Sequence, residues 1–269
     1  RLVELKEALD SAAEIPKPFL VLRHDIDSDP GATLKFSQIE VKIGVRATYF
    51  FRLKTWNAEV MNHLVAAGHE VGYHFEELAS YAKMNHIKTA ELLLKRSHAI
   101  REQLEQNLVR LRQNREIKSL ASHGDFANRR LGLKNSVLAE DPVWRANNGI
   151  LYEAYDNDLK VAYQNHISDK PYPQRFFPRS PAECVRDRQN FLWLTHPRWW
   201  QNNPGANLRE AAIRIERRDH VGRSHVAPGE FAHQVACSSV TQPRRTREDP
   251  AQLVAVVTSR ELRERDRAV

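Results

Sequence analysis

Phe19-Leu20-Val21-Leu22-Arg23-His24-Asp25-Ile26-Asp27 is the stretch on which the reading of this chain turns. Four apolar residues run directly into a charged exit, the pattern of a short buried strand that ends where polar groups collect. Successive side chains of a strand alternate between faces, so Asp25 and Asp27 point to the same side. Two carboxylates placed so close repel each other unless a bound cation or a shared proton relieves the charge. A solvated turn after a strand is the competing reading, and the rest of the chain decides between them.

Outward from this stretch, short β-rich runs alternate with helical segments. Strands are expected at residues 19–23, 47–52, 70–75, 117–122, 150–155, 161–165 and 191–195. Residues 32–43 read as a helix stopped by Gly44, and residues 58–67 as one stopped by Gly68. The stretch 89–111 carries Leu and Ile at helical spacing and is expected to be one packed amphipathic helix. Such alternation is the signature of an α/β fold with parallel strands and crossover helices. From about Arg217 to Val269 Lys, Trp, Tyr and Ile disappear, and Arg, Ala, Val and Ser dominate. The expected organisation is one domain over residues 1–216 and a loosely packed or disordered extension over 217–269.

Three further strand exits carry histidine. Gly68-His69-Glu70-Val71-Gly72-Tyr73-His74 feeds a short strand with Glu70, Gly72 and His74 on one side and His74 at its end. Ser119-Leu120-Ala121-Ser122-His123-Gly124 and Phe191-Leu192-Trp193-Leu194-Thr195-His196-Pro197 end in the same way. In a barrel of parallel strands these ends converge on one face. Aspartate and neutral histidine there suit a divalent transition metal such as zinc, with a position left for water. His69 at its helix stop, and His63, His86, His98 and His166, read as structural or surface residues. Tyr152-Glu153-Ala154-Tyr155 and His166-Ile167-Ser168-Asp169 could line a sugar-sized polar cleft together with Trp144 and Arg52, against an equal reading as ordinary capping and packing. Arg198-Trp199-Trp200 fits either a stacking platform for a sugar ring or a lid over the core.

Composition narrows the partners. With 269 residues, 41% of them apolar, the chain can bury a full core. The net charge of +7 is spread among acids, with no basic stripe interleaved with aromatics, so nucleic acid is not an expected partner. Two distant cysteines, Cys184 and Cys237, form no disulfide framework or cysteine zinc site and suit a reducing, cytoplasmic compartment. No apolar run approaches the roughly 20 residues of a membrane helix.

Taken together, Arg23-His24-Asp25-Ile26-Asp27, Ala47-Thr48-Tyr49-Phe50-Phe51-Arg52, residues 68–77, Ser122-His123-Gly124 and Leu194-Thr195-His196-Pro197 resemble the NodB-like polysaccharide deacetylases. The chain is most similar to a branch found with surface-polysaccharide and O-antigen biosynthesis proteins, in which a His-Asp-x-Asp start and a Gly-Tyr-His segment recur. The resemblance implies an irregular (β/α) barrel of about seven parallel strands and a metal-dependent hydrolase that removes an N-acetyl group from a carbohydrate. It implies Asp25 as general base, Asp27 and His74 as metal ligands and His196 as general acid. The family's second motif is His-(Ser/Thr)-x-x-His, but this chain reads His74-Phe75-Glu76-Glu77-Leu78, with Leu78 where the second histidine belongs. The Arg-x-Pro-(Tyr/Trp) motif is also not evident. His123 is expected as the replacement ligand, with Glu77 the weaker candidate and otherwise, with Arg52, Trp144 and Glu153, a substrate contact. Two rival functions follow: a non-catalytic saccharide- or partner-binding barrel with a degenerate metal site, and a metal hydrolase acting on a small cyclic amide or ester.

Overall fold

A computed structural model describes residues 1–113, 115–170 and 175–200. The extension expected over 217–269 lies outside the described residues. Among the described residues eight strands form one sheet: β1 Leu20–Ile26, β2 Thr48–Phe51, β3 Glu70–Phe75, β4 Ser119–Ser122, β5 Tyr152–Glu153, β6 Asn165–Asp169, β7 Phe176–Phe177 and β8 Phe191–Thr195. Their order is β5-β4-β3-β2-β1-β8-β6-β7. Every neighbouring pair is parallel except β6 with β7. The α/β fold is therefore the one expected, seven parallel strands with one short antiparallel strand at the edge.

The helices among the described residues are α1 Leu2–Asp10, α2 Pro30–Lys42, α3 Ala58–Ala66, α4 Glu77–Met84, α5 Ala90–Leu94, α6 Ser97–Arg112, α7 Phe126–Leu131, α8 Pro142–Asn147, α9 Asn157–Tyr163 and α10 Pro181–Arg186. None of them is long and apolar enough to cross a membrane. α2 and α3 stop just before Gly44 and Gly68, which take the left-handed φ values of 71° and 84° that glycine accepts most readily. Two expectations are corrected. The helix expected over residues 89–111 is broken at Lys95 and Arg96 into α5 and α6. The strand expected over 161–165 is the end of α9, followed by β6. Leu159 and Tyr163 are buried while Val161 between them is exposed; a strand would have put all three on one face, whereas a helix turns Val161 away.

Alternation along β1 builds two cores at once. Val21 packs with Phe50, Ala121, Tyr152 and Leu192, under Leu2 and Leu5 of α1 and Leu159 and Tyr163 of α9. Leu22 faces the other way and packs with Tyr49, Phe51, Ile167 and Trp193 under Val60, Met61 and Leu64 of α3. A third cluster gathers Tyr73, Phe75 and Leu120 beneath α4, α6 and α7. Burial on both faces is what a parallel sheet requires of its apolar runs.

Both ends of the sheet are fixed by polar groups. At the strand N-termini, the amides of Leu2 and Val3 at the start of α1 donate to Thr48 Oγ1 at 2.8 Å and Glu70 Oε2 at 3.1 Å. Those bonds satisfy donors that a helix start leaves unpaired. Nearer the other end, His24 on the outer face of β1 has Nδ1 2.5 Å from Thr195 Oγ1 of β8 and Nε2 2.6 Å from Glu40 Oε1 of α2. Tyr49 of β2 donates to the second Glu40 oxygen at 2.5 Å. This buried network locks β8, β1 and β2 together just where Asp25, Asp27 and His196 project.

Candidate metal centre

The C-terminal ends of β1, β3, β4 and β8 each deliver one side chain to a common point. Asp27 follows β1, His74 lies near the end of β3, His123 follows β4 and His196 follows β8. His74 Nε2 stands 3.6 Å and His123 Nε2 3.4 Å from Asp27 Oδ1. Ligand atoms of these three residues lie within 4.8 Å of one another. The His74 and His123 rings are perpendicular, with centroids 5.1 Å apart. His196 Nε2 is 4.0 Å from the other Asp27 oxygen, Oδ2, which Arg198 Nη2 also approaches at 3.3 Å.

His74 and His196 are hydrogen-bonded from behind at the other nitrogen, while His123 has a carboxylate beside its Nδ1 without hydrogen-bond geometry. His74 Nδ1 donates to the Ala121 carbonyl at 2.8 Å. His196 Nδ1 lies 2.7 Å from Asp169 Oδ1, and His123 Nδ1 lies 3.3 Å from Glu76 Oε2. With its Nδ1 proton engaged in this way, the neutral His74 ring keeps its Nε2 lone pair for whatever lies in front. Two imidazole nitrogens and a carboxylate oxygen, oriented so and largely shielded from solvent, are a donor set that suits zinc or a similar divalent ion.

Asp25 is differently placed. Arg23, two residues earlier on the same face of β1, grips it with a fork: Nε to Oδ1 at 2.8 Å and Nη2 to Oδ2 at 2.9 Å. The guanidinium itself is wholly buried, 4.5 Å from the centroid of the Tyr155 ring and 5.1 Å from that of Phe50. Asp25 Oδ2 also lies 3.4 Å from His74 Nε2. Burial raises the Asp25 carboxyl, but Arg23 and His74 outweigh it and hold the group below its ordinary value. Burial likewise opposes ionisation of Asp27, yet His123, His196, His74 and Arg198 together hold it far below the carboxylate range. Burial pushes His74 down to about 4, which keeps its ring neutral. For His196 burial also acts downward, but Asp169 and the two site aspartates outweigh it and raise the group, favouring the imidazolium.

Compared with known proteins, the chain matches no family profile and no curated protein sequence. Among solved structures it is similar to a family 4 carbohydrate esterase from Streptomyces lividans in complex with acetate, at 15% identity, covering 76% of this chain and 91% of that one, with a TM-score of 0.39. It is also similar to the catalytic domain of a peptidoglycan N-acetylglucosamine deacetylase from Eubacterium rectale, at 15% identity, covering 78% and 91% of the two chains, with a TM-score of 0.40. A wild-type CE4 family pseudoenzyme from Bacillus anthracis is similar at 14% identity, covering 77% and 63%, with a TM-score of 0.41.

Of the residues expected from sequence, Asp25, Asp27, His74, His123 and His196 meet at this point. The four expected substrate contacts are corrected. Arg52 is buried with its guanidinium on Glu76, its Nε 3.1 Å from Oε1 and its Nη2 bonded to Oε2. Glu77 starts α4 and turns into the core, accepting from Tyr73 at 2.5 Å and Asn107 at 2.8 Å, so it is no ligand either. Trp144 is buried in the cluster under α8, with Nε1 donating to Glu105 at 2.6 Å. Glu153 is buried, its oxygens taken by the amides of Ser122 and Tyr155, each at 2.7 Å. Leu78 is fully buried in the core beneath α4.

Sequence reasoning missed what Arg23, Glu76, Asp169 and Arg198 do. Arg23 was discoverable, because it shares a strand face with Asp25. Asp169 was hidden by the misplaced strand, since only as the last residue of β6 does it come beside His196. It also accepts from the His196 amide at 2.6 Å and from Trp200 Nε1 at 2.9 Å. Trp199 covers His196, with ring centroids 4.4 Å apart, while Trp200 packs against Phe176 and Trp193. Of the two readings of this aromatic pair, Trp200 therefore belongs to the core and Trp199 borders the site.

Proposed function

We propose that this protein is a metal-dependent hydrolase that removes an N-acetyl group from a carbohydrate. The observation that carries the proposal is the convergence of three Nε2 atoms on Asp27, two of the rings hydrogen-bonded at the opposite nitrogen, with a second carboxylate alongside. A divalent cation bound there would supply polarisation of the acyl carbonyl and acidification of a water. Asp25, gripped by Arg23, would accept the proton from that water as its oxygen adds to the carbonyl carbon. His196, charged through its bond to Asp169, would give its Nε2 proton to the nitrogen as the carbon–nitrogen bond breaks, releasing acetate and a free amine. The motif resemblance supports the carbohydrate substrate, and cysteine usage supports a cytoplasmic setting.

The deciding experiment measures metal content of protein purified without added metal or chelator, beside turnover on N-acetylated sugars. Near-stoichiometric metal is expected, lost in Asp27→Ala and His74→Ala. Asp25→Asn is expected to retain the metal and lose nearly all turnover, about 10²- to 10⁴-fold. An Asp25→Asn protein that still turns over at the wild-type rate would refute the assignment of the base.

A second reading, a saccharide- or partner-binding barrel without catalysis, is favoured by two features. Leu78 is locked in the core where a further ligand is expected, and both oxygens of Asp25 are already occupied by Arg23. Chelator-insensitive sugar binding with no turnover on any acylated sugar would support this reading instead.

A further inference from the structure

We propose that Glu76, fixed by Arg52, is the positioning residue that makes His123 a metal ligand through Nε2, completing a ligand set that lacks a histidine at Leu78. The inference rests on the metal reading above. His123 is pinned at its backbone on both sides: its amide donates to the Phe75 carbonyl at 2.9 Å and its carbonyl accepts from Asn135 Nδ2 at 2.6 Å. What remains to be set is the ring. Its Nε2 lies 3.4 Å from Asp27 Oδ1 and its Nδ1 3.3 Å from Glu76 Oε2, a charge contact without hydrogen-bond geometry. A neutral imidazole carries one proton, so ligation through Nε2 requires that proton on Nδ1, where a carboxylate acceptor favours it.

Glu76 is not free to turn. Arg52 bonds both of its oxygens in a planar fork. Arg52 is itself tied to the end of β1, since its amide donates to Thr55 Oγ1 at 3.0 Å and that hydroxyl donates to the Ile26 carbonyl at 2.6 Å. A run of backbone and side-chain contacts therefore leads from the carbonyl of the residue before Asp27, through Thr55, Arg52 and Glu76, to His123. Four strand ends are registered by it, and the arginine that sequence assigned to substrate serves here as a strut.

The test uses cobalt(II) on the full chain, measuring affinity by competition with a chromogenic chelator and recording the visible spectrum. Glu76→Gln, which keeps the shape and removes the charge, is expected to weaken cobalt binding about 10- to 100-fold while the absorption bands stay in place. Glu77→Gln, the adjacent residue facing away, is expected to bind as the wild type does. Equal affinity in Glu76→Gln and wild type would overturn the inference and leave the metal reading standing. Complete loss of binding would overturn it too, by making Glu76 a ligand in its own right. Failure of the wild type to take up cobalt would instead remove the metal reading, and this inference with it. A second measurement needs no variant of Glu76: ring nitrogen-15 shifts of the metal-free wild type at pH 8, assigned by loss of the signal in His123→Gln. A proton on Nδ1 is expected, and a proton on Nε2 would overturn the inference.

Discussion

Asp169 and His196 show how one carboxylate sets the protonation of a histidine it does not share a strand with. The Asp169 oxygen at 2.7 Å from Nδ1 stabilises the imidazolium, so the proton on Nε2 is retained to higher pH than in a free histidine. Asp169→Asn is expected to lower kcat/KM about 10²-fold and to move the alkaline limb of the pH–rate profile toward lower pH. An alkaline limb that stays in place would argue against His196 as the proton donor. At this scale the sequence was informative where geometry follows from strand parity alone, as for Asp25, Asp27 and His74, or from a strand exit, as for His123. It was uninformative where a polar side chain must choose a partner. Glu76 and Glu77 are adjacent and chemically identical, yet one reaches the site and the other turns into the core toward Tyr73 and Asn107. Nothing in the local pattern encodes that division, because it depends on which neighbours the folded chain supplies.

Among the elements, β3 carries the tightest packing near the site. A Cβ on Gly72 would lie 2.5 Å from Phe50 Cε1 and 2.6 Å from Ser119 Oγ. Phe50 is fully buried and has no room to withdraw. Gly72→Ala is therefore expected to cost about 1–3 kcal/mol, measured as a lowered midpoint in urea. An unchanged midpoint would mean that the three central strands separate without penalty. The central strands were legible as short runs rich in aliphatic and aromatic residues, β2 and β3 each preceded by a helix-stopping glycine. β5, though only two residues long, falls inside the strand expected over 150–155, whereas the two-residue β7 was not expected, and five residues around Val161 satisfy a two-residue and a four-residue repeat almost equally. Only burial on the folded sheet separates those repeats.

For the whole molecule, the buried His74 and the half-buried His166 contribute to the response to acid. Burial pushes both His74 and His166 down to about 4 from an ordinary value of 6.5. The folded state thus refuses protons that the unfolded chain accepts, so this contribution to stability is complete above pH 6.5 and shrinks as pH falls toward 4. His196, raised, acts in the opposite sense, its contribution being complete below 6.5 and lost as pH climbs through its folded value. The metal-free protein is expected to melt at a lower temperature at pH 5 than at pH 7, with His166→Gln reducing the difference. An identical difference in that variant would remove His166 from the account. The start of α1 bears on how such measurements are mounted. Leu2 and Val3 are bonded to Thr48 and Glu70, at the beginnings of β2 and β3, whereas the metal-ligand candidates stand at strand ends. A tether joined to the exposed side of α1 near its start would hold the molecule from the side away from its histidines, so surface immobilisation there should present the reactive face to a polymer too large to diffuse around it.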